Sequence, residues 1–184
     1  MFTIHCDGAY SKTHDVGAYA GLVQDGPAVK PELVWGRTHK TTSQRMELAA
    51  VIASLRGVQS GRSGSVYVYT DSEYIVKGIS GEYQLQANLD LWDLLTAELT
   101  RLKSFGMKVS VSHLPRNSTP ELERCDTLAK RATDPKANGP DFTLLGRSLD
   151  PVVEESVKAT KEGIAALDRG DSVTLSELTK SLNE

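Results

Sequence analysis

The sequence of 184 residues is poor in cysteine and in long apolar runs. Its two cysteines, Cys6 and Cys125, form no metal-type spacing, which favours a cytoplasmic protein with reduced thiols. No run approaches the roughly 20 apolar residues that cross a bilayer, so we expect no membrane contact. The first residues also lack the basic and apolar regions of a secretory signal. These absences exclude disulfide-stapled and membrane-spanning classes.

The chain also lacks an excess of positive charge, since its formal net charge is −3. Residues 1–136 carry 16 Lys/Arg and 15 Asp/Glu, a net charge of +1, whereas residues 137–184 carry 5 and 9, a net charge of −4. The total argues weakly against a nucleic-acid partner. If metal ions neutralised four acids of residues 1–136, the net charge of that part would rise from +1 to +5. Such a charge is compatible with a phosphate backbone as partner.

Hydrophobic periodicity predicts an α/β fold with a five-stranded mixed sheet flanked by helices. Short connections indicate that the first three strands are antiparallel, and helical crossovers place the other two parallel to the first. We predict a catalytic domain at 1–136, a linker at 137–150 and a helical extension at 151–184. The predicted strands are residues 2–7, 17–24, 32–39, 65–70 and 108–113, and the helices are 44–58, 72–79, 91–105 and 121–133.

Four acidic residues lie at the edges of these elements. Asp7 ends the first strand, Glu47 lies in the first turns of a helix, Asp71 follows the fourth strand and Asp126 lies on the last helix of the domain. Sites in open α/β sheets lie beyond the carboxyl ends of parallel strands. Converging carboxylates need a cation, and two Mg²⁺ or Mn²⁺ ions about 4 Å apart suit phosphoryl displacement. The alternative is four surface acids that never meet.

The sequence motifs around these acids resemble those of the type 1 ribonuclease H family. The resemblance is carried by Asp-Gly-Ala at 7–9, Thr-Thr-Ser-Gln-Arg-Met-Glu-Leu at 41–48, Tyr-Thr-Asp-Ser-Glu-Tyr at 69–74 and Glu-Arg-Cys-Asp-Thr-Leu-Ala at 123–129. Residues 88–92 also match a helix start of the family. The match covers about residues 1–133, and the four motifs are specific only jointly. The five-stranded mixed sheet of that family agrees with the predicted order of elements.

The resemblance implies a Mg²⁺-dependent endonuclease that cuts the RNA strand of RNA–DNA hybrids and leaves 3′-hydroxyl and 5′-phosphate ends. It implies two ions, with Mn²⁺ as a possible substitute. Carried over, Asp7 contacts both ions, Asp126 holds the ion that activates water, and Glu47 and Asp71 hold the ion at the leaving oxygen. Glu47 is also expected to accept the 2′-hydroxyl, which distinguishes RNA from DNA.

The same resemblance places substrate contacts at five positions: Gly8, Ser43, Gln44, Ser72 and Arg116. For Ser43, capping of the following helix is an equally open role. Many members have a His where this chain has Arg116, and that Arg either replaces the His or only contacts phosphate.

Two other departures concern the rim of the cleft and affinity. The loop at 10–15 lacks the usual Gly- and Pro-rich sequence, and residues 81–87 contain no Lys or Arg where many members insert a basic handle. These departures leave a hybrid-binding module with little turnover as one alternative. A different nuclease of the same superfold, acting on DNA, is a second alternative. The helical extension at 151–184 has an apolar stripe that must be buried against another surface. That surface is its own catalytic domain, a second copy of the chain or a protein partner.

Overall fold

The chain folds into a six-stranded sheet with helices on both faces. The computed structural model describes residues 1–58, 63–134, 136 and 146–148. The predicted extension at 151–184 and most of the predicted linker lie outside the described residues. The strands are β1 (Phe2–Ser11), β2 (Val16–Asp25), β3 (Glu32–His39), β4 (Gly64–Thr70), β5 (Met107–His113) and β6 (Gly146–Ser148). The helices are α1 (Ser43–Arg56), α2 (Glu73–Ser80), α3 (Leu89–Ser104) and α4 (Pro120–Ala132).

The strand order is β5-β4-β1-β2-β3-β6. β2 is antiparallel to β1 and β3, whereas β4 is parallel to both β1 and β5. The five predicted strands and their directions are therefore confirmed. The short β6 is an addition, because it pairs in parallel with β3 from within the stretch predicted as a linker.

The first strand is longer than its sequence pattern predicted. The predicted strands at 2–7 and 17–24 imply a loop over residues 8–16, but β1 continues to Ser11, which pairs with Val16 of β2. The antiparallel pairing with β2 holds these residues extended after β4 has ended. The turn is confined to residues 12–15, and Asp15 takes the left-handed conformation with φ 48°. The predicted loop boundary was wrong because Gly8 does not start a turn here.

Two apolar clusters fix the sheet between its helices. On one face, α1 and α3 pack against residues such as Ile4 and Val68. On the other face, α4 covers β1, β2 and β3 through residues such as Leu22, Leu33 and Leu128. Cys6 and Cys125 are both buried and unbridged. Among the helices that the structure describes, none is long and apolar enough to cross a membrane.

Candidate active site

Asp7 lies in β1 at the point where β4 stops pairing with it. The parallel ladder between the two strands ends at His5 and Tyr69, while the ladder between β1 and β2 runs on to Ser11. Asp7 is therefore buried beside the carboxyl end of β4, and its Oδ1 accepts a hydrogen bond from the Gly8 backbone N–H at 2.7 Å. This is the edge at which sites of α/β sheets form.

Three aspartates from three elements converge at this edge. Asp71 directly follows β4, and Asp126 points inward from α4, which packs against β1. The pKa of Asp7 is raised to about 7, first by burial and then by the charge of Asp71, with a smaller contribution from Asp126. The Gly8 N–H opposes this rise without cancelling it. Like charges therefore meet here, and the alternative of scattered surface acids is wrong for these three residues.

Arg116 spans two of the three aspartates. Its Nη2 donates to Oδ1 of Asp126 at 2.5 Å, and its Nε lies 3.9 Å from Oδ2 of Asp71. The residue lies in the loop between β5 and α4, next to Asn117 in the left-handed conformation, and its side chain is 58% exposed. The Arg predicted at the place of the family's loop His therefore contacts the carboxylates directly.

Lys130 completes the surroundings of Asp126. It lies one turn further along α4, and its Nζ donates to Oδ2 of Asp126 at 2.7 Å. Burial raises the pKa of Asp126, but the hydrogen bonds from Lys130 and Arg116 outweigh it and lower that pKa overall. Sequence reasoning missed Lys130, although its i,i+4 spacing from Asp126 was a usable signal for an ion pair on one helix face.

Glu47 is held by two hydroxyl groups. Ser72 Oγ donates to its Oε2 at 2.5 Å, and Ser43 Oγ donates to its Oε1 at 3.3 Å. Thr42, and not Ser43, caps α1 by accepting from the Arg45 N–H, so the capping role considered for Ser43 was wrong. Both serines predicted to contact substrate therefore orient Glu47, the acid of α1.

A bidentate salt bridge between Arg45 and Asp90 fixes the start of α1 relative to the start of α3. Arg45 donates from Nη1 to Oδ1 of Asp90 at 2.9 Å and from Nη2 to Oδ2 at 2.5 Å. Two parallel bonds between guanidinium and carboxylate define an orientation as well as a distance. The motif at 41–48 and the helix start at 88–92 are therefore neighbours in space, and their contact helps to place Glu47.

The remaining predicted substrate positions lie around the first turn of α1. Gln44 is exposed in that turn. Gly8 lies directly against it, because a Cβ built on Gly8 would stand 2.3 Å from the Glu47 backbone nitrogen. Any side chain at position 8 would therefore separate β1 from α1. The glycine has a packing role that the substrate-contact prediction did not include.

The donor chemistry of this edge suits a divalent cation. Carboxylate oxygens are the ligands that Mg²⁺ and Mn²⁺ prefer, and the repulsion at Asp7 is what a cation would relieve. Within the described residues, no group of three or more His, Cys, Asp or Glu side chains is already arranged to hold an ion. Both oxygens of Asp126 contact cationic side chains, and both oxygens of Glu47 accept from serines. Each carboxylate oxygen keeps a second acceptor site, so a cation bound here would join the hydroxyl partners of Glu47 and compete with the cationic partners of Asp126.

Comparison with known proteins points to one family. The RNase H family model matches residues 1–134. The chain is 31% identical over 146 residues to a ribonuclease H of Dechloromonas aromatica, covering 71% of this chain and 92% of that one. Its fold is similar to the N-terminal RNase H domain of a Mycobacterium tuberculosis protein, with a TM-score of 0.61, 20% identity, and coverage of 72% of this chain and 93% of that one. It is also similar to LC11-RNase H1 in complex with an RNA/DNA hybrid, with a TM-score of 0.58, 16% identity, and coverage of 73% and 100%.

Proposed function

Because this chain belongs to the ribonuclease H family, whose members hydrolyse RNA in RNA–DNA hybrids, we propose that it cuts such hybrids with two Mg²⁺ ions. The products are a 3′-hydroxyl and a 5′-phosphate end. The observation that carries this proposal is the convergence of Asp7, Asp71 and Asp126 beside the carboxyl end of β4, where the pKa of Asp7 rises to about 7. Mn²⁺ is the expected substitute for Mg²⁺, since both are hard cations that prefer oxygen ligands.

The four carboxylates divide the proposed ion binding among them. Asp7 would contact both ions, Asp126 one of them, and Asp71 with Glu47 the other. Bound ions would supply an activated water and neutralise the attacking and leaving oxygens of an in-line displacement. The chain's own contribution is to orient these acids: Ser43 and Ser72 hold Glu47, and Lys130 holds Asp126.

Recognition of the hybrid is proposed to use the surface around the same edge. Glu47 would accept a hydrogen bond from a 2′-hydroxyl of the RNA strand, the group that distinguishes RNA from DNA. Gly8, Ser43, Gln44 and Ser72 contact the hybrid near the first turn of α1. Arg116 stays protonated across the working pH range, so it cannot shuttle a proton, and it positions phosphate instead.

The test is cleavage of a labelled RNA–DNA hybrid in Mg²⁺, with duplex DNA and duplex RNA as controls. We expect cleavage of the hybrid alone, 5′-phosphate on the new end, and loss of cleavage in EDTA. Asp71→Asn should abolish cleavage, whereas Asp93→Asn, which removes an exposed carboxylate from α3, should not. Cleavage of duplex DNA at the rate of the hybrid would instead assign the chain to the DNA-cutting alternative.

A cytoplasmic location also remains a prediction, and it rests on the two unbridged cysteines. The fate of residues 151–184 is likewise a proposal. Docking on the catalytic domain, a homodimer contact and a protein partner would each cover the apolar stripe of that segment. Its net negative charge makes it a poor hybrid-binding module.

A further inference from the structure

Both carboxylate oxygens of Asp126 contact a cationic side chain. Oδ1 accepts from Arg116 and Oδ2 accepts from Lys130, and the Asp126 side chain is only 9% exposed. Each oxygen keeps a second acceptor site, so these hydrogen bonds do not by themselves block a metal ion. The two positive charges beside Asp126 repel a divalent cation, so metal binding competes with the contacts of Arg116 and Lys130.

The contacts of Lys130 and Arg116 indicate which of the two side chains a divalent ion would displace from Asp126. Lys130 contacts Asp126 from one turn along the same helix, so its bond stays local to α4. Arg116 instead reaches across to Asp71 and lies between two of the carboxylates that are proposed to hold metal. It therefore takes up the space and the compensating role of a cation in that cleft.

The loop that carries Arg116 also allows it to leave. Arg116 has 58% of its side chain exposed and Lys130 has 57%, so exposure allows either to move, and the position of Arg116 between two carboxylates distinguishes it. Ion pairs of this exposed kind are weak, and a divalent ion offers each carboxylate a stronger partner. Once released, a guanidinium is the side chain best suited to a phosphate group, which it binds through two parallel hydrogen bonds.

We propose, building on the function proposed above, that Arg116 is an exchangeable counter-ion: it neutralises Asp126 and Asp71 while the site is metal-free, is displaced when a divalent cation binds, and then positions the substrate phosphate. Arg116 and the cation compete for the same carboxylate oxygens. Because such a coupling is reciprocal, the presence of Arg116 weakens metal binding by the same factor by which metal weakens the Arg116 contacts.

The exchange is tested without nucleic acid, by titrating Mg²⁺ or Mn²⁺ into the full chain in a calorimeter. We expect Arg116→Gln to bind metal about fivefold more tightly than the wild type, at the low end of common coupling energies. We expect the same variant to unfold about 3 °C lower in EDTA, because its carboxylates then repel each other without a counter-ion. In saturating Mg²⁺ this difference in unfolding temperature should disappear.

The matched control is Lys77→Met, which removes a lysine from another i,i+4 ion pair, with Glu73 on α2. Its metal affinity should equal that of the wild type, and any change in unfolding temperature should be the same in EDTA and in Mg²⁺. Equal or weaker metal binding by Arg116→Gln, or a temperature difference that persists in Mg²⁺, would overturn the exchange. So would a wild-type chain that binds no metal.

The two proposals fail in distinguishable ways. A wild-type chain that cleaves the hybrid in Mg²⁺, but whose metal affinity does not change in Arg116→Gln, refutes only the exchange. A chain that shows the fivefold change but leaves every hybrid intact refutes only the nuclease proposal. Failure of both measurements would remove the metal site itself.

Discussion

Asp7→Asn should stabilise the metal-free protein at alkaline pH while abolishing its activity. The carboxylate of Asp7 is buried next to Asp71, and its pKa rises from 3.8 to about 7. Asparagine has nearly the same volume and keeps an oxygen that accepts from the Gly8 N–H. The substitution therefore removes the buried charge with little change in packing.

The sign and size follow from the difference in proton binding between folded and unfolded chains. The folded state holds the Asp7 proton more tightly, so the wild type loses stability as pH rises from about 4 to about 7. The gap of about three pKa units corresponds to about 4 kcal/mol as an upper limit, at about 1.4 kcal/mol per unit. We expect Asp7→Asn to exceed the wild type by about 2–4 kcal/mol at pH 8 and to match it near pH 4.

The assay is urea unfolding in EDTA between pH 4 and pH 8, with hybrid cleavage measured in parallel in Mg²⁺. Asp93→Asn, at an exposed position of α3, controls for the loss of one negative charge. Asp7→Asn should still bind the hybrid but should not cut it. A variant that is no more stable than the wild type at pH 8, or one that cleaves at a near-normal rate, would refute the placement of Asp7 in a crowded acidic site.

Three further predictions test the packing of Gly78 against Trp92, the hydrogen bond from Ser72 to Glu47, and the role of the C-terminal extension. Gly78→Ala should lower the free energy of unfolding by about 1–3 kcal/mol in urea, because the new Cβ would stand 2.2 Å from the Trp92 ring; an unchanged midpoint would contradict that contact. Ser72→Ala should lower kcat about tenfold with a smaller change in KM, since Glu47 loses a hydrogen bond; unaltered kcat would contradict this role. A chain ending at Pro135 should keep hybrid cleavage, because all four acids precede that residue. Loss of cleavage in a shortened chain that folds and binds metal would show that the extension completes the site.

Local sequence patterns were enough to predict the elements and the candidate acids. Alternation of apolar residues marked β4, and the acid that follows it could be placed at a strand end before any contact was known. The apolar face of α1 likewise fixed the position of Glu47 within the first turns of a helix. These features depend on residues a few positions apart, so their periodicity is visible in the chain itself.

The extent of β1 and the partners of the acids depended on contacts that no local pattern contains. Gly8 has the sequence signature of a turn, but pairing with β2 keeps the chain extended to Ser11. Ser72 lies at the start of a helix, where a capping role is common, yet its hydroxyl donates to Glu47, 25 residues away. In both cases a long-range partner decides between two conformations that the local sequence allows almost equally.

The sequence by itself determined that this chain carries four acids on the framework of one α/β domain. Only the tertiary structure decided how the charge of those acids is balanced. Arg116 reaches Asp71 and Asp126 because β5 and α4 bring its loop over the end of β4. The energy of a charge depends on its distance to other charges and on its burial, and folding sets both quantities.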